Sequence, residues 1–168
     1  MPHTQTIEVP HLGGIIASYQ TPSAIDPAKP TLILVNSFTT SSELYRDQFT
    51  NEELKSAMNL VAIELLGHGQ TRTKSENWTY WDTAIMNLQV MEALGIQKAF
   101  VLGTSQGGWI TVRMALLAPE KVGLHIFHFL PLSPSISIPL SPKYLPFTPP
   151  ILVHFEVISG IFPAPRLP

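Results

Sequence analysis

Apolar positions along this chain fall into short runs separated by polar or glycine-rich breaks. Thr4–Val9 alternates Thr6 and Glu8 with Ile7 and Val9, the two-residue period of a half-buried strand. Gly13-Gly14 can turn the chain, and Ile15–Tyr19 can return as a second strand. Gln20–Pro30 is polar, carries three prolines and reads as a loop. Thr31–Val35 and Leu60–Ile63 are continuous apolar runs rich in branched residues, as strands buried on both faces of a parallel sheet require, and Ile96–Leu102 supplies a third buried strand with the apolar Ala99–Leu102 at its end. Between them the period changes to that of helices. Ser42–Phe49 reads as a short helix, and Thr50 with Glu53 forms a capping box for a second one that carries Leu54, Ala57 and Met58. Thr79–Leu94 is the clearest helix: Thr79 and Asp82 fit a capping pair, Trp81, Ala84, Ile85, Leu88 and Met91 make one stripe, and Gly95 stops it. Gly107–Ala118 is helical in pattern and ends at Pro119. Strands alternating with helices predict an α/β protein, a three-layer sandwich around a mostly parallel sheet.

Composition changes near Val122. Of the 16 prolines, six lie in residues 1–122 and ten in residues 123–168, and those last 46 residues hold only Lys143, Glu156 and Arg166 as formal charges. Two segments are therefore expected: a folded α/β region over 4–122 and a proline-rich tail over 123–168. Within the tail, 123–130 suits a sixth strand and the rest is irregular, because dense proline prevents helix and central strand alike.

The whole chain has 168 residues, no cysteine and a net charge of −2. The absence of cysteine excludes disulfides and thiolate chemistry, and the charge balance gives no footprint for nucleic acid or an anionic membrane. No run reaches the ~18 apolar residues of a membrane span, and the amino terminus lacks the pattern of a secretory signal. A soluble cytoplasmic protein is expected, with no metal or cofactor; nothing indicates its oligomeric state.

The chemistry-bearing motif is Gly103-Thr104-Ser105-Gln106-Gly107, G-x-S-x-G between a predicted strand and a predicted helix. Small residues on either side let strand and helix pass closely. The serine hydroxyl is then lifted above the sheet edge at a helix N-terminus, where backbone N–H groups favour a developing oxyanion. No phosphate-binding G-x-x-x-x-G-K-[ST] or G-x-G-x-x-G accompanies it.

With the strand Leu32–Val35, the loop Asn36-Ser37-Phe38 and the segment Glu64–Thr71, this elbow makes residues 4–122 resemble the N-terminal half of an α/β-hydrolase of the esterase, lactonase or C–C hydrolase kind. The resemblance implies a serine hydrolase with Ser105 as nucleophile, acting on an ester, thioester or lactone of a small apolar molecule. Backbone N–H groups of Phe38 and Gln106 would form the oxyanion hole, and Gly103 and Gly107 would be the elbow glycines. Asn36-Ser37-Phe38 stands where the family usually has His-Gly-x. Glu64–Thr71 resembles its D-x-x-G-x-G-x-S loop, which gives His68 a structural place at the rim of the site. Trp78, Tyr80 and Trp81 are candidates to line a pocket, with Trp81 better explained by packing on the helix stripe.

The acid and base of the triad are not assigned. Family order is Ser, acid, His. After Ser105 the carboxylates are Glu120 and Glu156 and the histidines are His125, His128 and His154, and none falls in the expected order and setting. The expected fold is therefore a hydrolase incomplete after its fifth strand, a truncated form weakly active or inactive. A non-catalytic binding protein that keeps the hydrolase shell is the alternative.

Overall fold

The computed structural model describes residues 3–128, with side chains through Gly123. One sheet runs through them. Its strands are β1 (Gln5–Val9), β2 (Ile15–Gln20), β3 (Thr31–Val35), β4 (Asn59–Ile63), the two-residue β5 (Arg72–Thr73), β6 (Ala99–Thr104) and β7 (Val122–His128). The order is β1-β2-β4-β3-β6-β7, with β5 paired to β2. The β1–β2 and β2–β4 pairs are antiparallel, whereas β4, β3, β6 and β7 run parallel. The helices are α1 (Arg46–Thr50), α2 (Glu52–Ala57), α3 (Tyr80–Ala93) and α4 (Gln106–Leu117).

Alternation within the central strands builds two cores. Ile33 and Val35 point to one face of the sheet with Val61, Ile63 and Val101, and meet Ala84, Met86, Val90 and Met91 of α3 and Ile110 and Met114 of α4. Leu32, Leu34, Leu60, Ala62 and Leu102 point to the other face, where Tyr45 and Phe49 cover them and Leu54 and Met58 pack alongside. The result is the expected three-layer sandwich. Its sheet continues beyond the fifth long strand, because β7 pairs with β6 from Ala99↔Val122 to Thr104↔His128.

Several local expectations are corrected. Thr50 does not cap α2: it is the last residue of α1, and its hydroxyl donates to the Asp47 carbonyl. Asn51 is the cap, its Oδ1 accepting from the Leu54 N–H at 2.9 Å. Asn51→Ala should lower stability by about 1 kcal/mol, read as a shift of the denaturation midpoint at unchanged slope. Ser42–Phe49 is not one helix, but a 3-10 turn over Ser42–Tyr45 followed by α1.

Thr79 and Asp82 do form the capping box at the start of α3. The buried face of α3 is Thr83, Ala84, Met86, Asn87, Val90 and Met91; of the expected stripe Ala84 and Met91 are buried and Leu88 packs against the core, whereas Trp81 is not on that face. Two polar residues, Thr83 and Asn87, lie on the face that packs, so the apolar period marks only one side of it. Trp81 is 42% exposed, and its ring stacks on the Arg113 guanidinium of α4, 5.1 Å from the ring centroid, as does Tyr80 at 5.4 Å.

Candidate active site

The sheet reverses its winding at β3. The connection after β3 passes through α1 and α2 on one face, whereas α4, which follows the adjacent β6, lies on the other. Loops leaving the carboxyl ends of β3 and β6 therefore diverge and open a crevice, the place where open α/β sheets bind ligands. Val35 and Gly103 are register partners at that edge. Asn36-Ser37-Phe38 follows one strand and Ser105-Gln106 the other.

Ser105 has φ 51° and ψ −112°, in the left-handed half of backbone space that a side chain rarely enters. Close packing holds it there. A Cβ on Gly103 would lie 2.3 Å from the Gly107 carbonyl oxygen, and one on Gly107 would lie 2.2 Å from the Val35 oxygen. Only glycines let β6, α4 and β3 approach so nearly. The Ser105 carbonyl accepts from the Gly108 N–H at 2.9 Å, which starts α4 at once. Its side chain is exposed and makes no hydrogen bond among the described residues. The Phe38 and Gln106 N–H groups likewise donate to nothing among the described residues. Gln106 Oε1 is buried without a hydrogen-bond partner among them.

Tyr45 ties the two strand ends together, a tertiary role that no local pattern in Ser42–Phe49 encodes. Fully buried, its hydroxyl donates to the Val35 carbonyl at 2.6 Å and lies 3.3 Å from Thr104 Oγ1. Burial pushes the phenol well above its ordinary range, so it stays a neutral donor. Asn36 holds the loop after β3. Its Nδ2 donates to the carbonyls of Ser37 and Thr40, and its Oδ1 accepts from the Leu65 N–H.

Glu64 occupies the centre of the neighbouring loop. Ser42 N–H and Oγ donate to its Oε1, and Ser18 Oγ and the Gln70 N–H donate to its Oε2. Burial raises its pKa, but the hydrogen bonds from Ser18, Gln70 and Ser42 outweigh burial and hold it below the usual carboxylate value. Its side chain belongs to the loop's architecture. His68, in the same loop, touches Phe38 edge-on and receives the Thr39 N–H on Nε2 at 3.3 Å.

The other candidates are dispersed. Trp78 packs its ring over Gly67, with a would-be Cβ there 3.0 Å from Trp78 Cζ2. With Leu12, Glu76, Asn77, Thr79 and Asp82 it lines an open cleft that contains no elbow residue. Glu120 sits exposed in the turn after α4, roughly 18 Å of helix from the elbow. His125 and His128 lie on β7, opposite Val101 and Thr104. His154 and Glu156 lie outside the described residues. No helix among the described residues is long and apolar enough to cross a membrane.

The chain is similar to several known proteins. The chain is 30% identical over 92 residues to the dihydrolipoyllysine-residue acetyltransferase component of the acetoin cleaving system of Cupriavidus necator, covering 55% of this chain and 24% of that protein. It is 28% identical over 96 residues to the uncharacterized hydrolase YugF of Bacillus subtilis, covering 56% of this chain and 34% of that protein. It is 29% identical over 102 residues to human epoxide hydrolase 4, covering 60% and 28%. The chain thus spans a quarter to a third of the length of these relatives. Among solved structures, a probable hydrolytic enzyme of Pseudomonas aeruginosa superposes with a TM-score of 0.65 at 18% identity, covering 74% of this chain and 40% of that one. Epoxide hydrolase A of Mycobacterium thermoresistibile gives 0.64 at 18% identity, covering 76% and 39%. Residues 30–128 match the α/β-hydrolase fold family. From its reversed sheet to the strained serine between two glycines, this chain belongs to that family.

Proposed function

We propose that this chain carries the nucleophile and oxyanion hole of a serine hydrolase acting on an ester, thioester or lactone of a small apolar substrate. The observation that carries this reading is Ser105: an exposed hydroxyl on a strained turn, at the N-terminus of the 12-residue α4 and at the crevice edge of the sheet. A hydroxyl in that place suits addition to a carbonyl carbon. Ser105 Oγ forms the new C–O bond as its proton leaves to a base. The carbonyl π electrons move onto oxygen, and the Phe38 and Gln106 N–H groups, which have no other acceptor among the described residues, receive that oxyanion. Collapse of the adduct breaks the C–O or C–S bond, the leaving oxygen or sulfur takes up the proton that left Ser105 (in a lactone it stays tethered to the acyl group), and water hydrolyses the acyl-serine.

A serine hydroxyl needs an adjacent base. No imidazole or carboxylate hydrogen bonds to Ser105 among the described residues, and both ring nitrogens of His68 are engaged elsewhere. That observation favours weak turnover, and it also supports the second reading, a binding protein with the hydrolase shell. A fluorophosphonate probe separates the two. Slow covalent labelling lost in Ser105→Ala supports the nucleophile; folded protein that takes no label, or a Ser105→Ala variant labelled equally, overturns it in favour of binding.

A further inference from the structure

We propose that His68 is the positioning residue of the oxyanion loop, acting through the Thr39 N–H on the Phe38 backbone; this rests on reading Phe38 as an oxyanion donor. The loop after β3 closes on itself at its ends. Thr40 N–H and Oγ1 both donate to the Ser37 carbonyl, and Asn36 Nδ2 holds Ser37 and Thr40. Phe38 and Thr39 form the tip that projects beyond these bonds. Thr39 sits at φ 59°, one of three described non-glycine residues with positive φ, together with Leu12 and Ser105. Two of the three strained residues thus lie on the two loops that face the crevice. Such a conformation persists only where its surroundings determine it.

His68 provides that determination from the neighbouring loop. Its Nε2 accepts the Thr39 N–H at 3.3 Å, and its Nδ1 lies 3.1 Å from the Leu66 carbonyl. A single tautomer, with the proton on Nδ1, satisfies both contacts. The Phe38 ring rests edge-on against the imidazole, centroids 5.8 Å apart at 66°. Gly67 (φ 76°) and Gly69 (φ 51°) turn the chain on either side of His68 and aim it back at the loop. Gly69 lies against the Glu64 carboxylate. The anchor therefore stands on a rigid base rather than on a mobile one.

Protonation of the ring would break this arrangement, because Nε2 would then carry a proton and could not accept the Thr39 N–H. Among the described residues the ring meets the Phe38 ring, the Thr39 amide and the Leu66 carbonyl. The Glu64 carboxylate is committed to Ser18, Ser42 and Gln70, and no ion pair among the described residues includes His68.

The test uses the full chain, with two readouts: the rate of Ser105 labelling by a fluorophosphonate, and the hydrogen-exchange protection of the Thr39 amide. Removing one oxyanion donor lowers rates about 100- to 1,000-fold, so a displaced donor in His68→Ala should slow labelling at least ~10-fold with the melting midpoint little changed. His68→Gln, whose side-chain oxygen can accept the same N–H, should restore labelling to within about 3-fold of wild type. In the wild type the Thr39 amide should be protected from hydrogen exchange; His68→Ala should lose that protection and His68→Gln should keep it. Wild-type labelling by folded His68→Ala, or a Thr39 amide equally protected in wild type and His68→Ala, overturns the proposal. If Ser105 takes no label in any variant, the nucleophile reading fails, and the Thr39 amide alone decides the positioning role.

Discussion

Gly107→Ala is expected to abolish the fold or lower its stability by more than ~4 kcal/mol, far beyond the usual single-residue change. The substitution adds one methyl group inside a helix, where alanine is favoured over glycine by about 1 kcal/mol. Sterics reverse that gain. The new Cβ would lie 2.2 Å from the Val35 oxygen, 2.7 Å from the Asn36 oxygen and 2.8 Å from the Val35 carbonyl carbon. All are backbone atoms, and they cannot swing aside as a side chain could. Val35 ends a strand paired on both sides, with Ile63 and with Gly103, and its carbonyl already accepts from Tyr45. Relief therefore requires moving α4 off the sheet. Native stabilities are about 5–15 kcal/mol, so a penalty of this size takes most of the reserve. Gly123→Ala is the contrast: its nearest atom would be 3.8 Å away, and urea melts should place it within about 0.5 kcal/mol of wild type. A Gly107→Ala protein that melts with the wild type would refute the tight contact between β3 and α4.

The second large effect concerns Glu64. Its four hydrogen-bond partners are all donors, two hydroxyls and two amides. A carboxylate only accepts, whereas a carboxamide presents an NH2 group to one side of that ring of donors. Glu64→Gln keeps the shape but sets donor against donor in a buried place, at an expected cost of about 3–5 kcal/mol. The pH dependence follows from the same bonds. The folded-state pKa of Glu64 is lowered from 4.5, so its stabilisation is present above the unfolded-state value. It is lost as pH falls through the lower, folded-state value. Thermal melts of the wild type should therefore weaken below about pH 4.5. Glu64→Gln should be less stable at neutral pH and should lose part of that acid slope. Some slope remains, because hydrogen bonds from Thr79 and His11 lower the Asp82 pKa and the Arg46 hydrogen bond lowers that of Glu43. Equal acid slopes in the two proteins would remove Glu64 as a source of acid sensitivity.

How far the sequence could be read depended on the kind of signal each element carries. β3 and β4 were legible because a strand buried on both faces shows an unbroken apolar run, and all ten of their residues are buried. The elbow was legible because strand, turn and helix each have a local signature that meets at Ser105. The buried face of α3 was legible only at Ala84, Leu88 and Met91, since Thr83 and Asn87 pack against the core and conceal the rest of its period. β5 was invisible because two residues carry no period at all. Asn51 displaced Thr50 as cap because the choice between adjacent capping residues is made by where α1 ends, a tertiary outcome. The engagement of Thr39 by His68 joins loops 29 residues apart, and no local pattern encodes such a contact.

The strand order also sets a timetable for synthesis. β3 receives β4 on one side soon after it is made, but its other side waits for β6, with the partners Val35 and Gly103 separated by 68 residues. At about 5–20 residues per second, a ribosome takes roughly 3–14 s to supply that partner. During this interval the edge of Thr31–Val35, apolar on both faces, is open to any other nascent strand. A chaperone that shields this edge should raise the soluble yield more than one that acts after release.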